Sequence, residues 1–397
     1  MIPRPDQLDR RTFLRLGASC AAGIIVAGCG DPVGPGSPGV LGEGRPKRVL
    51  VVGAGVSGVV AANELALAGH EVTVLEARER IGGRVLSLRA PFASGHVAEA
   101  GAARIRPQDD LTLGYADHFG LPLDPFYPPT GHYVELVDGR RSVESADAFR
   151  ARRPDYVKVR GGTDRLVESF AQGFTGTLRI GTIVASIDQT GNRPFVTTSD
   201  GAVWDADRIL VTAPLTVLDR IDFAPSLSGP KREASTGGFR YQTATRVFVR
   251  MPTRFWEQDG LNGWAVTDWP EELWHPTWDL TGPEGVLLTY VRGDRALELD
   301  ALDEPSARAY LLEHWEEVFP GVSARAGASV RHSWQSDPWS LAAWAAPTSS
   351  QHAALSGEIG RAEGRIHFAG EHASADRGWM QGALASGLRA AREIHQS

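Results

Sequence analysis

Val49-Leu50-Val51-Val52-Gly53-Ala54-Gly55-Val56-Ser57-Gly58 is the stretch on which the fold turns. Four aliphatic residues in a row predict a strand buried on both faces, running into a G-x-G-x-x-G. Gly53 permits the tight turn, Gly55 lets a pyrophosphate approach the backbone, and Gly58 allows close packing of helix on strand. Val59 to Ala68 is rich in Ala and Leu and stops before Gly69, so it reads as a helix with a glycine stop. Its N-terminal N–H groups and dipole favour a phosphate. A second strand, Glu71 to Leu75, ends at Glu76, 18 residues beyond Gly58. That is close to the ~20 expected for an acid that binds a ribose hydroxyl pair. Strand, glycines, helix, strand and acid together predict a dinucleotide site.

Composition bounds the rest. The chain has 397 residues, 42% hydrophobic and 22% charged, which fits a globular protein of two or three domains. A formal charge of −7 argues against a partner held by phosphate neutralisation, so no nucleic acid is expected. Both cysteines, Cys20 and Cys29, lie near the N-terminus, which excludes a disulfide scaffold or a cysteine nucleophile in the remainder. Arg10-Arg11 followed by Phe13-Leu14 resembles a twin-arginine export signal, and the weakly apolar run Leu16 to Gly28 is shorter than the ~20 residues of a membrane span. Val26-Ala27-Gly28-Cys29 resembles a lipobox, with a plain cleavage site as the alternative. The expectation is a signal over 1–28 and a flexible Gly/Pro-rich linker over 29–46. The product would be periplasmic or at the cell surface, lipid-anchored at Cys29 or secreted.

Two further motifs decide which dinucleotide. Ala77-Arg78-Glu79-Arg80-Ile81-Gly82-Gly83-Arg84 extends the fingerprint. Near the C-terminus Phe368-Ala369-Gly370-Glu371-His372 precedes Gly378-Trp379-Met380-Gln381-Gly382-Ala383, which opens a helix running to about Ile394. These strings resemble the FAD-binding entrance and the closing motif of the flavin amine oxidase superfamily. The resemblance implies FAD, not attached through cysteine. It places Arg84 near the pyrophosphate, a role suited to a fixed donor fork. Glu371 would reach the sugar part of FAD. The Met380 N–H would approach the flavin pyrimidine edge, where a helix N-terminus stabilises the charge of reduction. Cofactor contacts are likewise implied for Val56, Ser57, Ala77, Arg78 and Gly83, for Gly101, Ala102, Ala103 and Arg104, and for Trp334, Gly370 and Trp379. Val184 lies on the strand whose backbone would meet adenine.

Within the superfamily the chain resembles L-amino-acid oxidases. Glu99-Ala100-Gly101-Ala102-Ala103-Arg104 is similar to the segment whose arginine pairs with the substrate carboxylate, and Leu287-Leu288-Thr289-Tyr290 to the strand that supplies a carboxylate-binding tyrosine. Arg104 and Tyr290 would thus hold an amino acid, with a charge-assisted bond and a hydroxyl on one anion. Trp344 and Trp379 match an aromatic cage facing the flavin, and Trp339, between Trp334 and Trp344, reads as core. Arg246 stands where the family has a lysine linked to reoxidation by oxygen. Arginine is a planar fork that does not deprotonate, so oxygen and another electron acceptor both stay open. The implied reaction yields a 2-oxo acid, ammonia and hydrogen peroxide. An amine or polyamine oxidase, or a dehydrogenase, is the alternative. No G-x-S-x-G or H-E-x-x-H is present, and no metal is expected.

The expected fold is α/β, with a Rossmann-like FAD-binding domain interleaved with a mixed-sheet substrate domain. The FAD-binding parts are 47–106, 157–215 and 336–397, and the substrate domain is 216–335. The Pro-rich segment 107–156 leaves room for one or two short helices, a reduced helical subdomain with an open pocket or one closed by a partner. A homodimer stays open.

Overall fold

The aliphatic run forms the centre of a five-stranded, all-parallel sheet in the order Ile366–Phe368, Arg208–Val211, Arg48–Val52, Glu71–Leu75, Thr177–Arg179. The computed structural model describes residues 38–42, 44–93 and 95–397. Val49 to Val52 are buried on both faces, as an uninterrupted aliphatic strand requires. The fingerprint helix Val56–Leu67 covers one face, packed between the C-terminal helix Met380–Gln396 and the helix Asp164–Gly173. A side chain at Gly58 would collide with the Gly53 carbonyl oxygen, and one at Gly387 with the Ser57 carbonyl. Both contacts exist only because neither residue has a Cβ.

The second layer is a mixed seven-stranded sheet. Its order is Ser329–Ser333, Ala244–Met251, Gly285–Arg292, Glu272–Trp274, Leu261–Thr267, His132–Val137, Arg140–Ser145. All neighbours are antiparallel except Leu261–Thr267 with His132–Val137. Period-two alternation divides its residues. Val247, Val249, Met251, Leu287 and Val291 pack into a core with the helix Glu304–Val318. Phe248, Leu288 and Val286 face the other way, with Trp264 and Trp274. On that second face the register aligns Glu272, Tyr290, Arg246 and His332 in one rung across four strands. A four-stranded sheet built on Val184–Asp188 completes the cofactor side.

One expectation needs an addition, and one needs correction. The 107–156 segment holds two short helices, Asp110–His118 and Ala146–Ala151, but its middle is a hairpin that adds two strands to the substrate sheet. Asp138 (φ 50) and Gly139 (φ 69) form its turn, the Asp-Gly pair that a type I′ hairpin demands. The 29–46 stretch is not wholly a free tether. Gly39 and Val40 donate their N–H groups to Glu64 at 3.0 and 2.9 Å, and Leu41 packs on the cofactor-domain core. The cause is Glu64, a carboxylate buried in the fingerprint helix that must be given donors. The signal, the lipobox and Cys29 lie outside the described residues.

Candidate active site

Between the two sheets lies a cavity of about 510 Å³. Its first wall is the glycine turn. The fingerprint helix begins at Val56 with no side-chain cap, and the C-terminal helix begins at Met380 likewise uncapped. Side chains of Ser145, Asp303 and Thr348 cap three other helices, and the remaining described helices are uncapped like these two. Two sets of unpaired helix N–H groups therefore lie in one cavity, the arrangement that suits a doubly charged pyrophosphate and an electron-rich ring. Gly55 and Gly83 pass so close that a Cβ on Gly83 would lie 3.2 Å from the Gly55 Cα.

Carboxylates and guanidiniums line the rest. Glu76 accepts from the Ala54 and Arg78 N–H groups at 2.7 and 2.8 Å, which fixes it at the strand end. Arg84 donates to Glu371 at 2.8 Å and to the Ala343 carbonyl at 3.0 Å. Glu371 also accepts from the N–H groups of Gly378 and Ala345. Burial would raise its pKa, but Arg84 and these donors outweigh burial and hold it below the ordinary carboxylate range. His372 beside it is pushed down to about 4 by burial and stays neutral.

At the far end the sheet rung meets segment 99–104. Arg246 is 8% exposed and donates Nη1 to the carbonyls of Glu99 (2.5 Å) and Gly101 (2.6 Å). Its guanidinium lies 4.4 Å from the Tyr290 ring centroid, and its Nε has no partner among the described residues. Arg104 is ion-paired with Glu272, and its guanidinium sits 4.7 Å from the Phe126 ring and 5.5 Å from Trp274. Trp344 lies 6.4 Å from Tyr290 and against the backbone at Gly378. Trp379 is covered by Arg106 at 4.3 Å. Trp334 is buried and donates its indole N–H to the Ala100 carbonyl at 2.8 Å.

The cavity wall brings together Gly53, Gly55, Val56, Ser57, Glu76, Ala77, Arg78, Gly83 and Arg84 from the first motif. It adds Gly101, Ala102, Ala103, Arg104, Val184, Arg246 and Tyr290, then Trp334, Trp344, Gly370, Glu371, Trp379 and Met380. Gly58 alone of the expected cofactor residues is not on the wall; it sits behind it, against Gly53. Sequence reasoning missed Glu272, which only strand register places across from Tyr290. It also took Trp339 as core, whereas Trp339 lines the cavity. Glu99 went unremarked as a buried acid. Its carboxyl accepts from Ser87 Oγ and the Thr163 N–H.

Comparison with known proteins agrees with this architecture. The family model described as flavin containing amine oxidoreductase matches residues 56–159 and 144–395. An L-amino-acid oxidase of Protobothrops flavoviridis is 26% identical over 464 residues, covering 90% of this chain and 91% of the relative. One from Siganus canaliculatus is 27% identical, covering 88% and 85%. Among solved structures, putrescine oxidase bound to putrescine superposes with a TM-score of 0.78 at 18% identity, covering 89% of this chain and all of that one (100%). Cyclohexylamine oxidase from Brevibacterium oxydans IH-35A gives 0.76 at 17% identity, covering 88% and 99%. The likeness to those two structures is one of fold.

Proposed function

The chain belongs to the flavin-containing amine oxidoreductases, and from that premise we propose that it oxidises an L-amino acid at the carbon bearing the amine. The supporting observation is the charge at the substrate end of the cavity. Arg104 has Glu272 as its carboxylate, but among the described residues the hydrogen-bond acceptors of Arg246 are backbone carbonyls alone. Glu99, the nearest acid behind it, is pushed up to about 7 by burial and brings only part of a charge. A buried cation beside the Tyr290 ring favours a substrate that carries its own carboxylate. A polyamine would add positive charge to a site already positive.

FAD, when bound, supplies the hydride acceptor. Its holders would be the glycine turn, Glu76, Arg84, Glu371 and the Met380 N–H. Arg104 and Tyr290 would hold the substrate carboxylate beside the charge of Arg246, with Arg104 shared between that carboxylate and Glu272, and Trp344 and Trp379 would wall the amine and exclude water. The substrate amine enters neutral. Its Cα loses a hydride and its nitrogen a proton, and the imino acid then adds water to give a 2-oxo acid and ammonia. Passing the two electrons to oxygen gives hydrogen peroxide. The two aromatic walls favour large apolar or aromatic side chains.

A second reading concerns the acceptor. Arg246 is pinned by two carbonyls and stacked on Tyr290, so it stands as a fixed fork where the family resemblance implies a compact ammonium. That favours an electron acceptor other than oxygen. One experiment addresses both readings: the purified flavoprotein is mixed without oxygen with panels of L-amino acids and amines, and then with oxygen. Amino acids are expected to bleach the flavin absorbance. Bleaching by amines alone would overturn the carboxylate reading, and reduction without peroxide would make the enzyme a dehydrogenase. Export by the twin-arginine route with a lipid on Cys29 is part of the same proposal, tested by palmitate labelling of wild type against Cys29→Ala.

A further inference from the structure

We propose that the segment Asp337–Ala345 is a strap over the adenosine half of the cofactor site, with Trp339 as the surface against which the adenine ring packs. The inference rests on the family's FAD and is independent of which substrate is oxidised.

The adenosine end is marked by three wall elements. Glu76, at the end of its strand, is the acid placed for the ribose; Arg78 follows it; residues 182–185 form the adenine-side backbone. Val217, Arg220 and Ile221 close the same end. The strap runs from the substrate sheet back to the cofactor domain and is fastened to these elements one after another. Arg78 Nη2 donates to Asp337 at 2.6 Å and to Ser340 Oγ at 2.7 Å. Arg220 donates to the Pro338 carbonyl at 2.5 Å, and Thr216 Oγ1 to the Ser340 carbonyl at 2.5 Å. Arg84 holds the Ala343 carbonyl at 3.0 Å, and Glu371 accepts from the Ala345 N–H at 3.1 Å. Arg78, Arg84, Arg220 and Glu371 line the cavity, as do Trp339, Ser340 and Ala343 of the strap itself.

Within this strap the Trp339 N–H donates to the same Asp337 carboxylate that Arg78 holds, at 2.9 Å. Trp339 thereby sits in the part of the strap that Arg78 and Arg220 tie down, half-buried, on the cavity wall. Leu341, two residues on, has φ 53, a left-handed conformation that a leucine keeps only where its surroundings impose it. The strap is therefore held in one shape rather than being a loose loop. An indole on the cavity wall, carried by a strap tied to Arg78 next to the ribose acid, offers a stacking platform for a purine. Loss of such a stack to alanine lowers affinity by roughly 5- to 150-fold.

The test follows release of FAD from the holoenzyme after large dilution into flavin-free buffer, read by the change in flavin fluorescence, for wild type, Trp339→Ala, Trp339→Phe and Asp337→Asn. Trp339→Ala is expected to release FAD at least tenfold faster. Trp339→Phe, which keeps an aromatic face, should stay within about threefold of wild type. Asp337→Asn, which weakens the latch but keeps the indole, should also speed release. Reconstitution with FMN, which has no adenosine, should proceed with the same affinity in wild type and Trp339→Ala. Release from Trp339→Ala at the wild-type rate, or an equal loss of FMN and FAD affinity, would overturn the assignment.

Discussion

Buried between Ser87 and Thr163, the Glu99 carboxyl is pushed up to about 7, chiefly by desolvation, from an ordinary value of 4.5. Between those two values the native protein holds a proton that the unfolded chain has released. The unfolded state then binds fewer protons, so stability falls as pH rises through that window. By pH 8 the loss from this one group is about 3 kcal/mol. Glu99→Gln should therefore melt at a higher temperature than wild type at pH 8, with the difference closing towards pH 5. A constant difference from pH 5 to pH 8 in thermal melts would mean that Glu99 is ionised throughout. At this scale the glycines, Glu76, Arg84 and Glu371 were legible in the sequence, because each belongs to a local motif whose spacing is its meaning. Glu272 and Glu99 were not, because nothing near them in the chain says which strand or loop they will face.

Elements depend on contacts that span the chain. The helix Ser349–Ile359 starts with a Thr348–Gln351 capping box, and its other end is closed by a distant residue. Lys231, fully buried, donates to the carbonyls of Glu358 (2.9 Å) and Arg361 (2.8 Å), 4.0 Å from the Phe368 ring centroid. Burial lowers its pKa, with Glu363 opposing at 3.4 Å. An ammonium at a helix C-terminus satisfies carbonyls that the helix leaves unpaired. Lys231→Met fills the volume but strands those carbonyls, and should cost about 2 kcal/mol in urea unfolding. The capping box could be read from Thr348 and Gln351 alone, since it is local. The lysine could not, because it lies more than a hundred residues away from the helix it closes. The Asp138-Gly139 hairpin is the opposite case: its turn signal was in the sequence, and the prolines around it drew the reading towards a reduced helical segment.

Across the whole molecule, the cofactor domain is gathered from both ends of the chain, and its N-terminal approach is part of it. Glu64 binds Gly39 and Val40, Tyr115 donates to the same carboxylate at 3.3 Å, and burial raises the pKa of Glu64 against these donors. A chain beginning at residue 44 should melt below one beginning at residue 38, because it strips Glu64 of two donors and Leu41 from the core. Equal melting temperatures would show the clamp to be incidental. The sequence by itself determined the dinucleotide fold, the flavin family and the two motifs that bracket the cofactor. Those features are local runs whose hydrophobic period and glycine positions leave few backbone solutions. Tertiary structure alone decided the charge balance of the substrate end. Arg104 acquires Glu272, Arg246 acquires carbonyls, and Trp339 lines the cavity on a strap tied to Arg78 and Arg220. Pairings of that kind are set by strand register and by loops that close across hundreds of residues, where no periodicity carries the information.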